Sequence, residues 1–205
     1  MRQLAIECAS EACSVAVFDD AQLLDHRHLE LGRGHAERLV PLISELPEKG
    51  KAERILVSLG PGSFTGVRIG LAAARALGFA WGAPVAGFPT LALVAATARD
   101  NHPDKAITIC MNGGHGEWFV QDFDETGLPQ AEQISLPLAD ALSRPSHSLI
   151  AGNRAAEMCD ANPHLCSVPC LPDARFVPAL PETLFTQQLA PIYGRAPDAQ
   201  LPKAG

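Results

Sequence analysis

Arg54-Ile55-Leu56-Val57-Ser58-Leu59-Gly60-Pro61-Gly62-Ser63-Phe64-Thr65-Gly66-Val67-Arg68-Ile69-Gly70 decides how this chain is read. Its first six residues form a short apolar, β-branched run that predicts a buried strand. Val67 to Ala80, rich in Ala, Leu and Arg, predicts a helix. Between them Gly60-Pro61-Gly62 makes a sharp turn, and Ser63 or Thr65 is placed to cap the first free N–H groups of the helix. Strand, glycine turn and capped helix together form a concave patch of backbone donors, a usual place for an anion. Gly62, Ser63, Thr65 and Arg68 are therefore the candidate contacts for an anion or nucleotide.

The helix carries a second signal. Gly66, Gly70, Ala74 and Gly78 follow at four-residue steps and line one face with almost no side chain. An interior Gly costs about 0.5–1 kcal/mol relative to Ala, so the stripe makes sense only if another backbone comes very close. Two readings stay open: packing on this chain's own sheet or a neighbouring helix, or packing on a helix of a second subunit. On the second reading, Leu39, Leu42, Ile43 and Leu46 of the preceding helix join the stripe as the candidate partner interface.

Working outward, the 205 residues are enough for one large domain or two small lobes with a real core. A net charge of -7 argues against a chain that grips nucleic acid by itself, because phosphate contacts need clustered Lys and Arg. No stretch is long and apolar enough to predict a membrane span, and Met1-Arg2-Gln3-Leu4 runs directly into a strand pattern. Cys8, Cys13, Cys110, Cys159, Cys166 and Cys170 follow no framework spacing and are expected as reduced thiols of a cytoplasmic protein.

Strands are predicted at Leu4 to Glu7, Cys13 to Asp19 and Gln22 to Leu29, then a helix from about His35 to Leu46 interrupted by Pro41. The Ile55 strand and the small-residue helix follow, then a strand at Pro84 to Gly87 and a helix from Thr90 to Arg99. A second lobe is expected from about residue 105, giving lobes of 1–104 and 105–205. Its strands are predicted at Ile107 to Met111, Trp118 to Phe123 and Ser148 to Ala151. Asn153 is read as the cap of a short helix, and a further helix is expected around Glu182 to Leu189, in a region otherwise broken by prolines. Periodicity alone gives an α/β class and no internal repeat.

Gly60 to Leu71 resembles the signature of the TsaB (YeaZ) family, which belongs to the bacterial machinery for threonylcarbamoyladenosine in tRNA. Cys8 to Val17, His35 to Ile43, Gly116-Glu117-Trp118-Phe119 and Pro191 to Arg195 extend the resemblance, thickly in the first half and thinly in the second. It implies a two-lobe fold of the actin, sugar-kinase and Hsp70 superfamily (ASKHA) with a reduced C-terminal lobe. It also implies a non-catalytic scaffold or activator that docks the catalytic subunit TsaD, with TsaE in a larger complex. Contact with tRNA would be indirect, and the chain would form a homodimer when alone. No cofactor of its own is expected, although ATP or ADP at the subunit boundary stays open.

The alternative is a small ATP-dependent kinase or ATPase, or a peptidase-like (M22-like) protein, of the same fold. Nucleotide-hydrolysing members of the superfamily carry Asp, then Gly and Thr or Ser, in the first hairpin. Here Glu7-Cys8-Ala9-Ser10 stands at those positions, with no glycine for close phosphate approach. Asn112-Gly113-Gly114 replaces the Asp-Ala-Arg of relatives, and Asn112 to Gly116 is expected to be a plain turn. The HxxxH metal motif of TsaD has no counterpart, and Cys159, His164, Cys166 and Cys170 lack the paired spacing of common zinc sites. No catalytic residue and no metal ligand is assigned, since Ser63 has no general base beside it in the sequence.

Overall fold

The computed structural model describes residues 1–194. Strands β1 (Arg2–Glu7), β2 (Ala12–Asp19) and β3 (Gln22–Glu30) form an antiparallel meander, followed by α1 (His35–Ser44). Then β4 (Arg54–Ser58), α2 (Phe64–Trp81), β5 (Val85–Phe88) and α3 (Thr90–Arg99) complete the first lobe. The sheet order is β3-β2-β1-β4-β5, with β4 and β5 added in parallel. Parallel neighbours need a crossover, and α1 and α2 supply it on one face. Pro41 is held inside α1.

The second lobe repeats this plan. Strands β6 (Ile107–Gly114), β7 (Glu117–Phe123) and β8 (Ile134–Pro137) form the meander, and α4 (Leu138–Ser143), β9 (Leu149–Ala151), α5 (Ala155–Ala161) and β10 (Cys166–Val168) follow. Read from its other edge, the sheet runs β8-β7-β6-β9-β10, again with two parallel additions. The duplication that the sequence does not display is explicit in the topology.

Helix α3 lies in the layer between the two sheets. Leu91, Leu93 and Val94 share one apolar cluster with Phe18, Leu56 and Phe88 of the first sheet and Ile107, Ile109 and Phe123 of the second. A separate cluster joins the other face of the first sheet to α1 and α2. A smaller one sits under α4 and α5.

Three expectations are corrected here. The division at residue 105 does not hold to the end of the chain, because the segment after β10 returns to the first lobe. Its Asp173 meets Ser14, Thr186 pairs with Gly87, and the Ile192 N–H donates to the Leu59 carbonyl at 2.7 Å. The helix expected around Glu182 to Leu189 is a single 3-10 turn over Glu182–Leu184. Asn153 does not cap α5; its side chain bridges the lobes instead, donating to the Glu11 carboxylate and accepting from the Asn112 N–H at 2.8 Å.

The interface residues also need correction. Leu39, Leu42, Ile43 and Leu46 are all buried in the chain's own core, at 3% exposure or less. Gly66, Gly70, Ala74 and Gly78 are buried as well, and face the first sheet. A Cβ on Gly66 would be driven into the Cys8 carbonyl, one on Gly70 would lie 3.6 Å from Cys8 Cβ, and one on Gly78 would lie 2.6 Å from Val85 Cγ2. The small-residue stripe lets α2 press onto its own β1, β4 and β5, so none of these eight residues is available to a second chain.

Candidate functional site

A cleft of about 830 Å³ opens between the lobes. Its walls are the β1–β2 turn (Ala9, Ser10, Glu11), the glycine turn with the start of α2 (Pro61, Gly62, Ser63, Phe64, Arg68), and the β6–β7 turn (Asn112 to His115). Residues 191–194 close one side. Gly62, Ser63 and Arg68 of the expected anion contacts line this cleft, whereas Thr65 does not. The Asn112 to Gly116 stretch, expected as a plain turn, is instead the end of β6, up to Gly114, with a two-residue turn at His115-Gly116, and its Asn112 to His115 form a wall of the cleft.

The turn before α2 is already occupied by protein. Ser63 is the N-cap, and its Oγ accepts from the Gly66 N–H at 3.2 Å. Its own N–H donates to the Ala9 carbonyl at 2.7 Å. Gly62 packs so closely on Ala9 that a Cβ there would run into the Ala9 carbonyl. Gly60, at φ 96°, likewise backs onto the Ile192 carbonyl. These glycines admit neighbouring backbone, and three donors of the turn are satisfied within the protein: Ser63 N–H by the Ala9 carbonyl, Gly60 N–H by Ser58 Oγ and Gly66 N–H by Ser63 Oγ.

Arg68 stands at the cleft mouth. Its guanidinium lies 3.4 Å from the centroid of the Phe64 ring and donates to Tyr193 Oη at 3.1 Å. The Phe64 and Tyr193 rings are 5.9 Å apart, so the cation is held between two exposed aromatics.

Glu7, at the position of the superfamily's first-hairpin carboxylate, is completely buried and does not line the cleft. Its Oε1 accepts from the Ala9 N–H, while Oε2 has no hydrogen-bond partner. Burial pushes the Glu7 carboxyl up to about 7, with the Ser58 hydroxyl and Ala9 N–H pulling the other way. Below it Ser58 Oγ and Thr90 Oγ1 share a hydrogen bond of 2.6 Å. A carboxyl that is half neutral near pH 7 and sealed from the cleft is a poor seat for a metal–phosphate group.

A serine, an aspartate and a histidine do meet elsewhere, without forming a nucleophilic triad. Ser14 Oγ lies 3.3 Å from Asp173 Oδ1, and His28 Nδ1 lies 3.7 Å from Asp173 Oδ2. The carboxylate separates hydroxyl from imidazole, whereas a hydrolase needs the imidazole in the middle to take the hydroxyl proton. Ser14 Oγ also accepts from the Ala174 N–H at 3.0 Å, and the Arg175 guanidinium caps Asp173 at 2.8 Å. The group fastens the returning segment to β2 and β3. Among the described residues no cluster of three or more His, Cys, Asp or Glu side chains is placed to hold a metal. No described helix is long and apolar enough to cross a membrane.

Two structurally duplicated lobes, each a meander with two parallel additions, around an inter-lobe cleft define the actin, sugar-kinase and Hsp70-like class. The structure overlays YeaZ from Pseudomonas aeruginosa with a TM-score of 0.76 at 22% identity, over 94% of this chain and 99% of that one. A second Pseudomonas aeruginosa structure, described as an uncharacterized protein with similarity to peptidase YeaZ, gives 0.78 at 23% identity over 95% and 99%. The family model TsaD, tRNA N6-adenosine threonylcarbamoyltransferase, matches residues 29–164.

The tRNA threonylcarbamoyladenosine biosynthesis protein TsaB of Escherichia coli K12 is 35% identical over 146 residues, 67% of this chain and 62% of that protein. Its namesake in Haemophilus influenzae is 31% identical over 121 residues, 57% and 51% respectively. The chain belongs to the TsaB (YeaZ) family, and it matches between half and two thirds of the length of these relatives.

Proposed function

We propose that the chain is a non-catalytic supporting subunit of tRNA threonylcarbamoyladenosine formation, which docks a TsaD-type catalytic subunit and acts in the cytoplasm. One observation carries this reading: the Ala9 carbonyl packs on Gly62 and takes the Ser63 N–H, and the Gly60 and Gly66 N–H groups are on serine hydroxyls, so the place a phosphate would take in the turn is filled by protein. The buried Glu7 and the inverted order of Ser14, Asp173 and His28 support it against ATPase and peptidase chemistry respectively.

The docking surface is the outward side of α1 and α2. On α2, Arg68, Ala72, Ala76 and Ala80 follow at four-residue steps and all are exposed. Their row stands about 200° around the helix from the buried glycine stripe, since two residues separate them. Phe79 is 93% exposed and Val40 of α1 58%, so two large apolar side chains flank a row of small ones. A partner helix can approach the alanines closely and bury the flanking side chains. A TsaD-type subunit occupies this face in the complex with TsaE, and a second copy occupies it when the chain is alone. The net charge of -7 leaves tRNA to be held by the partners.

The size of the cleft favours a second reading, an ATP-dependent enzyme of the same fold. The two readings separate in one experiment with the purified chain. The scaffold reading expects no ATP turnover by the chain alone and co-purification with TsaD of the same organism. Steady ATP hydrolysis that disappears in Arg68→Ala would establish the second.

A further inference from the structure

The β1–β2 pairing runs from Arg2↔Asp19 to Glu7↔Ser14. Continuing that register by one residue sets Cys8 opposite Cys13 across the mouth of the hairpin. Both side chains belong to the apolar cluster that faces α1 and α2, so they leave the sheet on the same side. Their sulfurs are 3.7 Å apart in a hydrogen bond. Directly opposed residues of antiparallel strands have Cα atoms about 4.5–5.5 Å apart, inside the roughly 4.4–6.8 Å that a disulfide spans. The other four thiols have no such arrangement: Cys110 contacts the Met158 thioether at 3.7 Å, and Cys159, Cys166 and Cys170 lie at or near the surface of the second lobe.

We propose that Cys8 and Cys13 are a redox site, a cross-strand dithiol that closes into an intramolecular disulfide under a hydroperoxide. The Cys13 sulfur attacks one peroxide oxygen, giving a sulfenic acid and water. The Cys8 sulfur then displaces hydroxide from that sulfenic acid, forming the S–S bond and a second water. Two thiols lose two electrons and two protons, and one hydrogen peroxide becomes two waters. Cys13 is the attacking sulfur because the hydrogen bond from Cys8 stabilises its thiolate and holds its pKa below the ordinary thiol value, with help from the Arg38 charge. Cys8, held in the hydrogen bond to Cys13 and desolvated beside Cys13 and Glu7, is kept above that value and serves as the resolving thiol.

Cys8 immediately precedes Ala9 of the cleft wall, Cys13 follows Glu11 of that wall by two residues, and the Cys8 carbonyl is the group that Gly66 packs on. Closure therefore draws in the ends of the turn that seats the start of α2. Burial of both side chains, at 2% and 0% exposure, makes the reaction slower than modification of exposed Cys166.

The test uses the full chain, reduced and then treated with hydrogen peroxide for about a hundred times as long as exposed Cys166 takes to be consumed. Cleavage after glutamate then cuts between the two cysteines at Glu11, so only a disulfide holds the fragments together. The expected product joins Cys8–Glu11 to the fragment beginning at Ala12, at a mass about 2 Da below the sum of the reduced fragments. Dithiothreitol separates them. A Cys8→Ala variant should instead leave a trappable sulfenic acid on Cys13. Free Cys8 and Cys13 at the end of that prolonged treatment, or over-oxidised Cys13 without a link to Cys8 in the parent chain, would overturn the proposal. Because the link is sought in the parent, a folding defect in the variant does not blur the result.

Discussion

The first lobe covers its sheet with helices of 10 and 18 residues, and the second covers a sheet of the same topology with helices of 6 and 7. Their hairpin turns differ in the same sense. The β1–β2 turn is pressed against α2, with Gly66 packed on the Cys8 carbonyl, whereas Gly114 and Gly116 of the β6–β7 turn have nothing within 4 Å of an added Cβ. One plan thus yields a tightly supported lobe and a lightly covered one. Helices as short as α4 and α5 carry little stability of their own and depend on a small apolar patch. Long helices add buried area on one side and offer an outward face on the other, so the lobe that is best packed is also the one whose outward helices we propose as the docking surface.

The sharpest way to break this comparison is to substitute alike a glycine that packs on the first turn and one that lies at the second. Gly66→Ala forces a side chain onto backbone that cannot yield, and should cost about 3 kcal/mol or more in urea unfolding. Gly114→Ala meets open space and should cost only the left-handed conformation at φ 74°, about 1 kcal/mol. Equal losses would show that the two turns are supported alike.

Acidity should separate the lobes as well. Glu7 has its folded pKa raised from 4.5 to about 7, so the folded state binds the extra proton between those values. Its contribution is fully present below 4.5, falls as pH rises towards 7 and is lost above, on the order of 3 kcal/mol in all. Glu7→Gln should flatten that limb in urea titrations. In the second lobe, burial pushes Asp122 up, but Arg144 and Thr108 hold it below its ordinary 3.8 overall. Its contribution is present above that value and is lost as pH falls below it, and Asp122→Asn should remove that acid limb. A parent whose stability rises between pH 5 and 7, with the rise abolished by Glu7→Gln, would contradict the account of Glu7.

Much of this asymmetry was legible in the sequence and some was not. The turn at Gly60-Pro61-Gly62, the Ser63 cap and the long helix behind it follow from local chemistry, and Thr90 to Arg99 is a helix with those bounds. The short elements β8, α4 and β10 were not visible, because 3–6 residues between prolines carry no periodicity. The inter-lobe cleft depends on Asn153 reaching Glu11 from 142 positions away, which no local signal announces. The stripe of Gly66, Gly70, Ala74 and Gly78 correctly signals a close backbone, but spacing does not say whose. A second row of small residues, Ala72, Ala76 and Ala80, has the same spacing but carries no signal of its own, because alanine is ordinary in helices.

A smaller difference should appear in hydrogen exchange under native conditions. Amides of α4 and α5 should open locally and exchange at least about tenfold faster than those of the buried side of α1 and α2, a gap of about 1.4 kcal/mol. Uniform protection of all four helices would remove the distinction between a supported and a lightly covered lobe.

The proposed docking face is tested most directly by Ala76→Arg, measured both for thermal melting and for capture of TsaD from the same organism. The side chain is exposed, so stability should stay within about 0.5 kcal/mol of the parent. A bulky cation in the row of alanines should hold a partner helix away and abolish capture. An Ala76→Arg protein that melts like the parent and still binds TsaD as well as the parent does would contradict the account.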